Sequence, residues 1–215
     1  MISARIRAIV ERIPEGTKVI ADAACDHAYI SIDALRCLRA EFSYACDINA
    51  APLARARENI ELFGYAGRIA TRLSDGLLGF LPKEIERIDT VVLAGIGGWL
   101  TIGIILDAFD MFDMKDKQFV ISAQSDLPEL RRFLHKIGLK IDDEIMIFDE
   151  KYYNIMNVSK GIQEFTDLEY EFGKNLIDKK DRVFIECIEK KIKTFENFGD
   201  SPKVIERIEK LKCLL

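Results

Sequence analysis

From Lys18 to Gly138 the chain repeats one pattern: a short apolar-rich run, then a longer amphipathic stretch closed by turn residues. Lys18–Asp22, Phe42–Asp47, Arg68–Leu73, Ile88–Ala94 and Lys117–Ala123 read as strands. Tyr29–Arg39, Pro52–Phe63, Trp99–Phe109 and Leu127–Ile137 read as helices, with Pro52 in a first turn and Gly64 and Gly138 just past two ends. Ile2–Ile13 adds an opening helix, stopped by Pro14 and Gly16. Strands separated by helices pair in parallel and need cover on both faces, so this alternation dictates an α/β sheet.

After Gly138 the pattern changes. Ile141–Asp149 and Tyr152–Ser159 are strand-like and joined only by Glu150-Lys151, too short for a crossover, so they form an antiparallel hairpin at one edge. The expectation is a seven-stranded, mostly parallel sheet with an antiparallel C-terminal edge. Beyond Gly161, Asn175–Phe198 and Pro202–Leu215 carry apolar residues at helical spacing among many lysines and glutamates. They read as a C-terminal helical hairpin turning at Gly199-Asp200-Ser201-Pro202, with Ser201 as N-cap. The expected division is residues 1–161 and 162–215.

Composition narrows the function. At 215 residues, 49% hydrophobic and 31% charged, the chain is an ordinary globular protein and not a disordered or collagen-like one. No apolar run approaches the roughly 20 residues of a membrane span. Met1 leads into an amphipathic, arginine-bearing stretch rather than a secretory leader, and membrane association is not expected. The five cysteines contain no C-x-x-C pair, which suits a reduced, cytoplasmic protein. With only two histidines, His27 and His135, no metal site is expected. A net charge of −5 means that any nucleic acid must be met by a local cationic patch.

Open α/β sheets bind ligands beyond the carboxyl ends of their strands. The first strand ends in Asp22-Ala23-Ala24-Cys25-Asp26-His27-Ala28, in the place of a nucleotide loop but without glycine, which disfavours a diphosphate. The second ends in Asp47, positioned to accept both hydroxyls of a ribose, with Ile48 beside it. The third is followed by Ser74-Asp75-Gly76, a turn with an acceptor suited to an exocyclic amine, and the fourth by Ala94-Gly95-Ile96-Gly97-Gly98, a wall of bare backbone. No lysine or arginine lies in these loops to hold phosphate. The set points to a cationic adenosine derivative, and S-adenosylmethionine meets both conditions.

Three of these runs resemble a known family. Asp22-Ala-Ala-Cys-Asp-His-Ala-Tyr-Ile30 is similar to the D-I-G-S-D-H-A-Y-L signature of bacterial tRNA (adenine-22-N1)-methyltransferases. Ala94–Gly98 looks like that family's A-G-M-G-G, and Leu73–Leu77 falls where it has G-D-G-L. The resemblance implies a Rossmann-like class I methyltransferase domain, S-adenosylmethionine as cofactor, tRNA as substrate and a coiled-coil-like tail. Two departures stand out: Ala24 replaces a glycine, and Ser122-Ala-Gln-Ser-Asp126 lacks the Pro-Asn of the family's L-Q-P-N.

The residues expected to hold the cofactor are Asp22, Ala24, Cys25, His27, Asp47, Ile48, Asp75, Gly76, Ala94, Gly95 and Gly97. Asp26 is the expected acceptor of the charge that develops on a methylated adenine, with capping of the next helix as the alternative. Tyr29 and Gln124 are expected near the base, although an aromatic at a helix start more often joins the core. For the lone Trp99, packing is favoured over a place at the base. Lys190 and Lys191, with Lys193 and Lys179–Arg182, are expected to form a modest cationic stripe for tRNA, interrupted by Glu186 and Glu189, with Arg5, Arg7 and Arg12 on the first helix as further cations. A monomer is expected. The departure at Ser122–Asp126 keeps open another RNA or a small molecule as methyl acceptor. The glycine-free first loop keeps open a non-catalytic RNA-binding module.

Overall fold

A computed structural model describes residues 2–199 and 201–215; the Asp200 of the expected tail turn lies outside the described residues. The elements are α1 (Ala4–Glu11), β1 (Val19–Ala23), α2 (Tyr29–Arg36), β2 (Phe42–Asp47), α3 (Ala50–Leu62), β3 (Ile69–Leu73), α4 (Pro82–Arg87), β4 (Thr90–Ala94), α5 (Gly98–Met111), β5 (Gln118–Ser122) and α6 (Leu127–Lys136). The edge strands β6 (Leu139–Asp149) and β7 (Lys151–Lys160) follow, then α7 (Asp167–Phe172), α8 (Lys174–Lys179), α9 (Arg182–Glu196) and α10 (Pro202–Lys212).

The strands form one seven-stranded sheet in the order β3-β2-β1-β4-β5-β7-β6. The pairings among β1–β5 are parallel, and β7 runs antiparallel to both β5 and β6. This is the expected seven-stranded, Rossmann-like arrangement. Order reverses between β1 and β4, which opens a crevice at their carboxyl ends.

Apolar residues cover both faces. On one, Ile9, Ile13, Ile32, Leu35, Leu53 and Ile60 of α1, α2, α3 and the turn after α1 pack on Ile20, Ala45 and Val92. On the other, Ile85, Ile105, Leu130 and Leu134 of α4, α5 and α6 pack on Val91, Leu93, Phe119 and Ile121. The central strand β4 is buried at every position, which is why it reads as a continuous apolar run. Along β6, alternation sends Ile145 and Ile147 toward α1, while Glu144 and Met146 face α6 and the tail.

The tail differs from its sequence reading. Asn175–Phe198 is not one helix. Lys180 adopts a left-handed conformation (φ 48°), ending α8, and Asp181 caps α9 by accepting from the Phe184 N–H at 2.9 Å. The short α4 and α7 have too few turns to show a period. Ser201 caps α10 as expected, its Oγ accepting from the Val204 N–H. Phe184, Ile188, Ile192, Leu211 and Leu214 form a separate small core that meets the sheet through Met146.

One buried ion pair ties these layers together. Arg131 of α6 and Glu144 of β6 are both fully buried, 2.6 Å apart. Asn154 donates to Glu144 at 2.7 Å, and Arg131 donates to the carbonyl oxygens of Tyr170 and Glu171. A Cβ at Gly173 would collide with the Glu144 carboxylate, so glycine is required where α7 passes into α8.

Candidate active site

The loop after β1 carries three non-glycine residues with left-handed backbone: Ala24 (φ 84°), Asp26 (φ 45°) and Ala28 (φ 59°). Each costs on the order of 1–2 kcal/mol, so the surroundings must impose the shape. They do. The N–H groups of Ala24 and Cys25 both donate to the Cys46 carbonyl, at 2.9 and 2.7 Å. The Ala28 N–H donates to Cys25 O, and the Asn59 amide of α3 donates to His27 O at 3.0 Å. Burial pushes the Cys25 and Cys46 thiols well above their ordinary range, so neither is a nucleophile.

Two cavities adjoin at Ala24. The first, of about 320 Å³, is lined by Asp47, Ile48 and Asn49 after β2, Ser74, Asp75 and Gly76 after β3, and Ile96, Leu100 and Ile104. The second, of about 300 Å³, is lined by Cys25, Asp26, His27, Tyr29 and Ile30 with Ala94, Gly95 and Gln124, and by Arg5 and Ile6 from α1. The lining of the first includes no lysine or arginine. Asp47 is held in place by its own Asx turn, Oδ1 accepting from the Asn49 N–H at 2.8 Å. The Ser74 hydroxyl bridges the Asp75 turn, donating to Gly76 O and accepting from the Gly79 N–H. Gly76 (φ 52°) has no room for a side chain, since a Cβ would lie 2.7 Å from Ile104.

Most of the residues singled out in the sequence meet here, with some reassigned. The Asp22 carboxylate lies beneath the loop and lines neither cavity. It is 1% exposed and accepts at 2.9 Å from the Ser31 hydroxyl, which in turn accepts from Ser43 at 2.8 Å. Burial, opposed by the Ser31 hydrogen bond, pushes its pKa up to about 7. Asp26 does not cap α2; the cap position is Ala28, with no side-chain hydrogen bond. Its two oxygens instead sit 3.3 Å from Arg55 Nη2 and 3.4 Å from His27 Nε2. Tyr29 stays at the cavity rather than entering the core, its ring 5.7 Å from that of His27.

The glycine wall serves two purposes. Gly95 (φ 85°) faces the second cavity, its missing Cβ 3.3 Å from the Arg5 guanidinium and 4.0 Å from the Gln124 amide. Gly97 and Gly98 face the loop after β5 instead. A Cβ at Gly97 would meet Ser125 Oγ at 3.0 Å, and one at Gly98 would meet Ser125 O at 2.6 Å. Their role is close packing of α5 on that loop. Trp99 is not packed, contrary to the expectation; it is 62% exposed at the mouth of α5. Of the cationic stripe, Lys179 pairs with Asp143 and Arg182 with Glu186, while Lys190, Lys191 and Lys193 stay exposed on α9.

The loops carry no cation, but two arrive from helices. Arg5 comes from α1 and Arg55 from α3, where Arg55 and Asn59 lie one turn apart and both clasp the first loop. That i, i+4 spacing was the available signal for Arg55. Nothing in the sequence shows which loop the face meets.

Residues 2–156 match a family described as a methyltransferase domain. The chain belongs to that family. Among individual relatives, the tRNA (adenine(22)-N(1))-methyltransferase of Bacillus subtilis is 27% identical over 161 residues, which cover 74% of this chain and 66% of that protein, just under two thirds of its length. Of solved structures, TrmK of M. capricolum in complex with S-adenosyl-homocysteine superposes with a TM-score of 0.80 at 27% identity, covering 99% of this chain and 96% of that one. Streptococcus pneumoniae Sp1610, solved with S-adenosyl-L-methionine, shares the fold across the whole of both chains (TM-score 0.89, 22% identity). Among the described residues no helix is long and apolar enough to cross a membrane.

Proposed function

We propose that this methyltransferase transfers a methyl group from S-adenosylmethionine to N1 of an adenine in tRNA, at position 22 by likeness to its relatives. One observation carries the reading: two cavities share Ala24 as their common wall, one acidic and without cations, the other lined by groups suited to a purine. The first suits the cofactor. Asp47 and Asp75 offer acceptors to ribose hydroxyls and an exocyclic amine, Ile48, Ile96 and Leu100 flank an aromatic ring, and no cation waits for a phosphate. When bound, S-adenosylmethionine supplies an electrophilic methyl on a sulfonium.

The residues of the second cavity position and stabilise. N1 of neutral adenine carries no proton, so no general base is required before attack, whereas the product ring is cationic. Asp26 places carboxylate charge at that cavity, held by Arg55 and His27 so that its direction is set in advance. Tyr29 offers a face for stacking, and Gln124 a donor and an acceptor for a base edge. The base must leave its stack to arrive there. In this reading residues 1–161 bind the cofactor and residues 162–215 contact tRNA, supported by the separate core of the tail.

Incubating the full chain with S-adenosylmethionine and an unmodified tRNA transcript, then mapping primer-extension stops, tests the assignment. A stop at a D-arm adenine is expected; methylation of a small molecule instead, or no stop, refutes it. Asp47→Ala is expected to weaken cofactor binding roughly tenfold to hundredfold by calorimetry, the value of hydrogen bonds to a charged acceptor. Unchanged affinity would move the ribose elsewhere.

A further inference from the structure

The tip of the β6–β7 hairpin is not accounted for by either cavity. The register Ile121↔Met156 makes β7 antiparallel to β5, so residues 151–155 run past the last pairing, about 15 Å beyond the strand ends that carry the site. The tip therefore projects past the rim on the β5 side. It is joined to the second cavity through Arg5, whose backbone N–H donates to Asp149 Oδ2 at 3.0 Å and whose guanidinium lies 4.9 Å over the Tyr153 ring.

On the other face of this ribbon, Phe148 and Tyr152 pair across the strands with ring centroids 5.0 Å apart, and Phe148 is 51% exposed. Lys190 of α9 reaches over the Tyr152 ring at 5.7 Å. An exposed phenylalanine on a hairpin tip costs solubility and adds nothing to the core. The charges nearby are also left unmatched. Among the described residues Arg5, Lys151 and Lys190 form no ion pair, as is true also of Lys191 and Lys193 on α9, while Asp149, Glu150 and Glu186 are the carboxylates nearest the tip. Flat rings beside unpaired cations are what a strand with stackable bases and a phosphate backbone requires.

We propose that the β6–β7 tip is an RNA-docking platform, with Phe148 and Tyr152 stacking an unpaired base next to the target and Lys190 and Arg5 meeting the backbone on its two sides. The inference rests on the reading of the chain as a tRNA methyltransferase and adds a surface to it. It also gives Lys190 a defined partner, the Tyr152 ring.

The test measures binding of an unmodified tRNA transcript by fluorescence anisotropy and of S-adenosylmethionine by calorimetry, on the full chain. Phe148→Ala with Tyr152→Ala is expected to weaken tRNA binding tenfold or more with cofactor affinity unchanged, as loss of base stacking does. Tyr152→Phe keeps the ring and is expected to bind as the parent does, and Lys190→Ala to lower the slope of log K against log salt by about one. Should the double variant fold poorly, Tyr152→Phe against Tyr152→Gln carries the same contrast. A double variant within twofold of the parent, a parent that binds no tRNA, or equal losses in Tyr152→Phe and Tyr152→Gln would overturn the platform. A parent that binds tRNA in this ring-dependent way yet methylates none would instead sink the proposed activity and leave the platform standing.

Discussion

Asp22 is a carboxyl group buried beneath the first loop, and its protonation is expected to be visible in the stability of the whole chain. Folding moves its pKa from the ordinary 3.8 to about 7, chiefly because burial strips it of water. The folded chain keeps this proton up to about pH 7, whereas the unfolded chain releases it near 3.8, so folding takes up a proton between those values. The contribution to stability is complete below the lower value and is lost as pH rises through the upper one. At about 1.4 kcal/mol per pH unit, the side chain costs roughly 4 kcal/mol above pH 7, of which between 2 and 3 kcal/mol accrues between pH 5 and 8. Asn at this position still accepts from the Ser31 hydroxyl but cannot ionise. Asp22→Asn is therefore expected to gain on the parent by about 2–3 kcal/mol between pH 5 and pH 8, read from urea midpoints at constant m-value. A difference between the two proteins that stays flat across this range would refute the argument and mean that water reaches the carboxylate.

Two further outcomes follow from the packing. Glu144→Ala leaves the Arg131 guanidinium buried without its partner and is expected to destabilise by about 3–5 kcal/mol in urea titrations, while Arg131→Met with Glu144→Leu recovers much of the loss; a single variant within about 1 kcal/mol of the parent would contradict the burial. Ala24→Gly relieves the left-handed backbone at φ 84° and is expected to raise the melting temperature by about 1–4 °C, the net of strain relief over added chain entropy. A lower melting temperature would show that the loop is not strained there.

The strand ends were legible because period and burial are local properties. Val91, Val92 and Leu93 read as a buried strand from their own side chains, and Asp47 and Asp75 had to fall at its level once each strand was placed. The exposure of Trp99 departs from the expected packing because exposure of one large residue is not written in its neighbours. Gly97 and Gly98 looked like a ligand wall because glycine signals only that something comes close, and here it is the Ser125–Asp126 loop. The break at Lys180 was hidden because the apolar spacing runs on across it, and the Asp181 cap of the next helix offsets part of the cost of one left-handed residue.

By itself, then, the order of apolar runs and turns determined the α/β sheet, its antiparallel edge and the rim of strand ends at which Asp47 and Asp75 fall. Packing decided the rest. It brought Arg5 and Arg55 from separate helices to Asp26 and the second cavity, sank Asp22 beneath the loop, and raised the hairpin tip beside α9. The reason lies in range: hydrogen-bonded periodicity is set within a few residues. The meeting of side chains far apart in the chain, as Arg55 with Asp26 or Arg5 with Tyr153, depends on how whole layers bury their surfaces against each other.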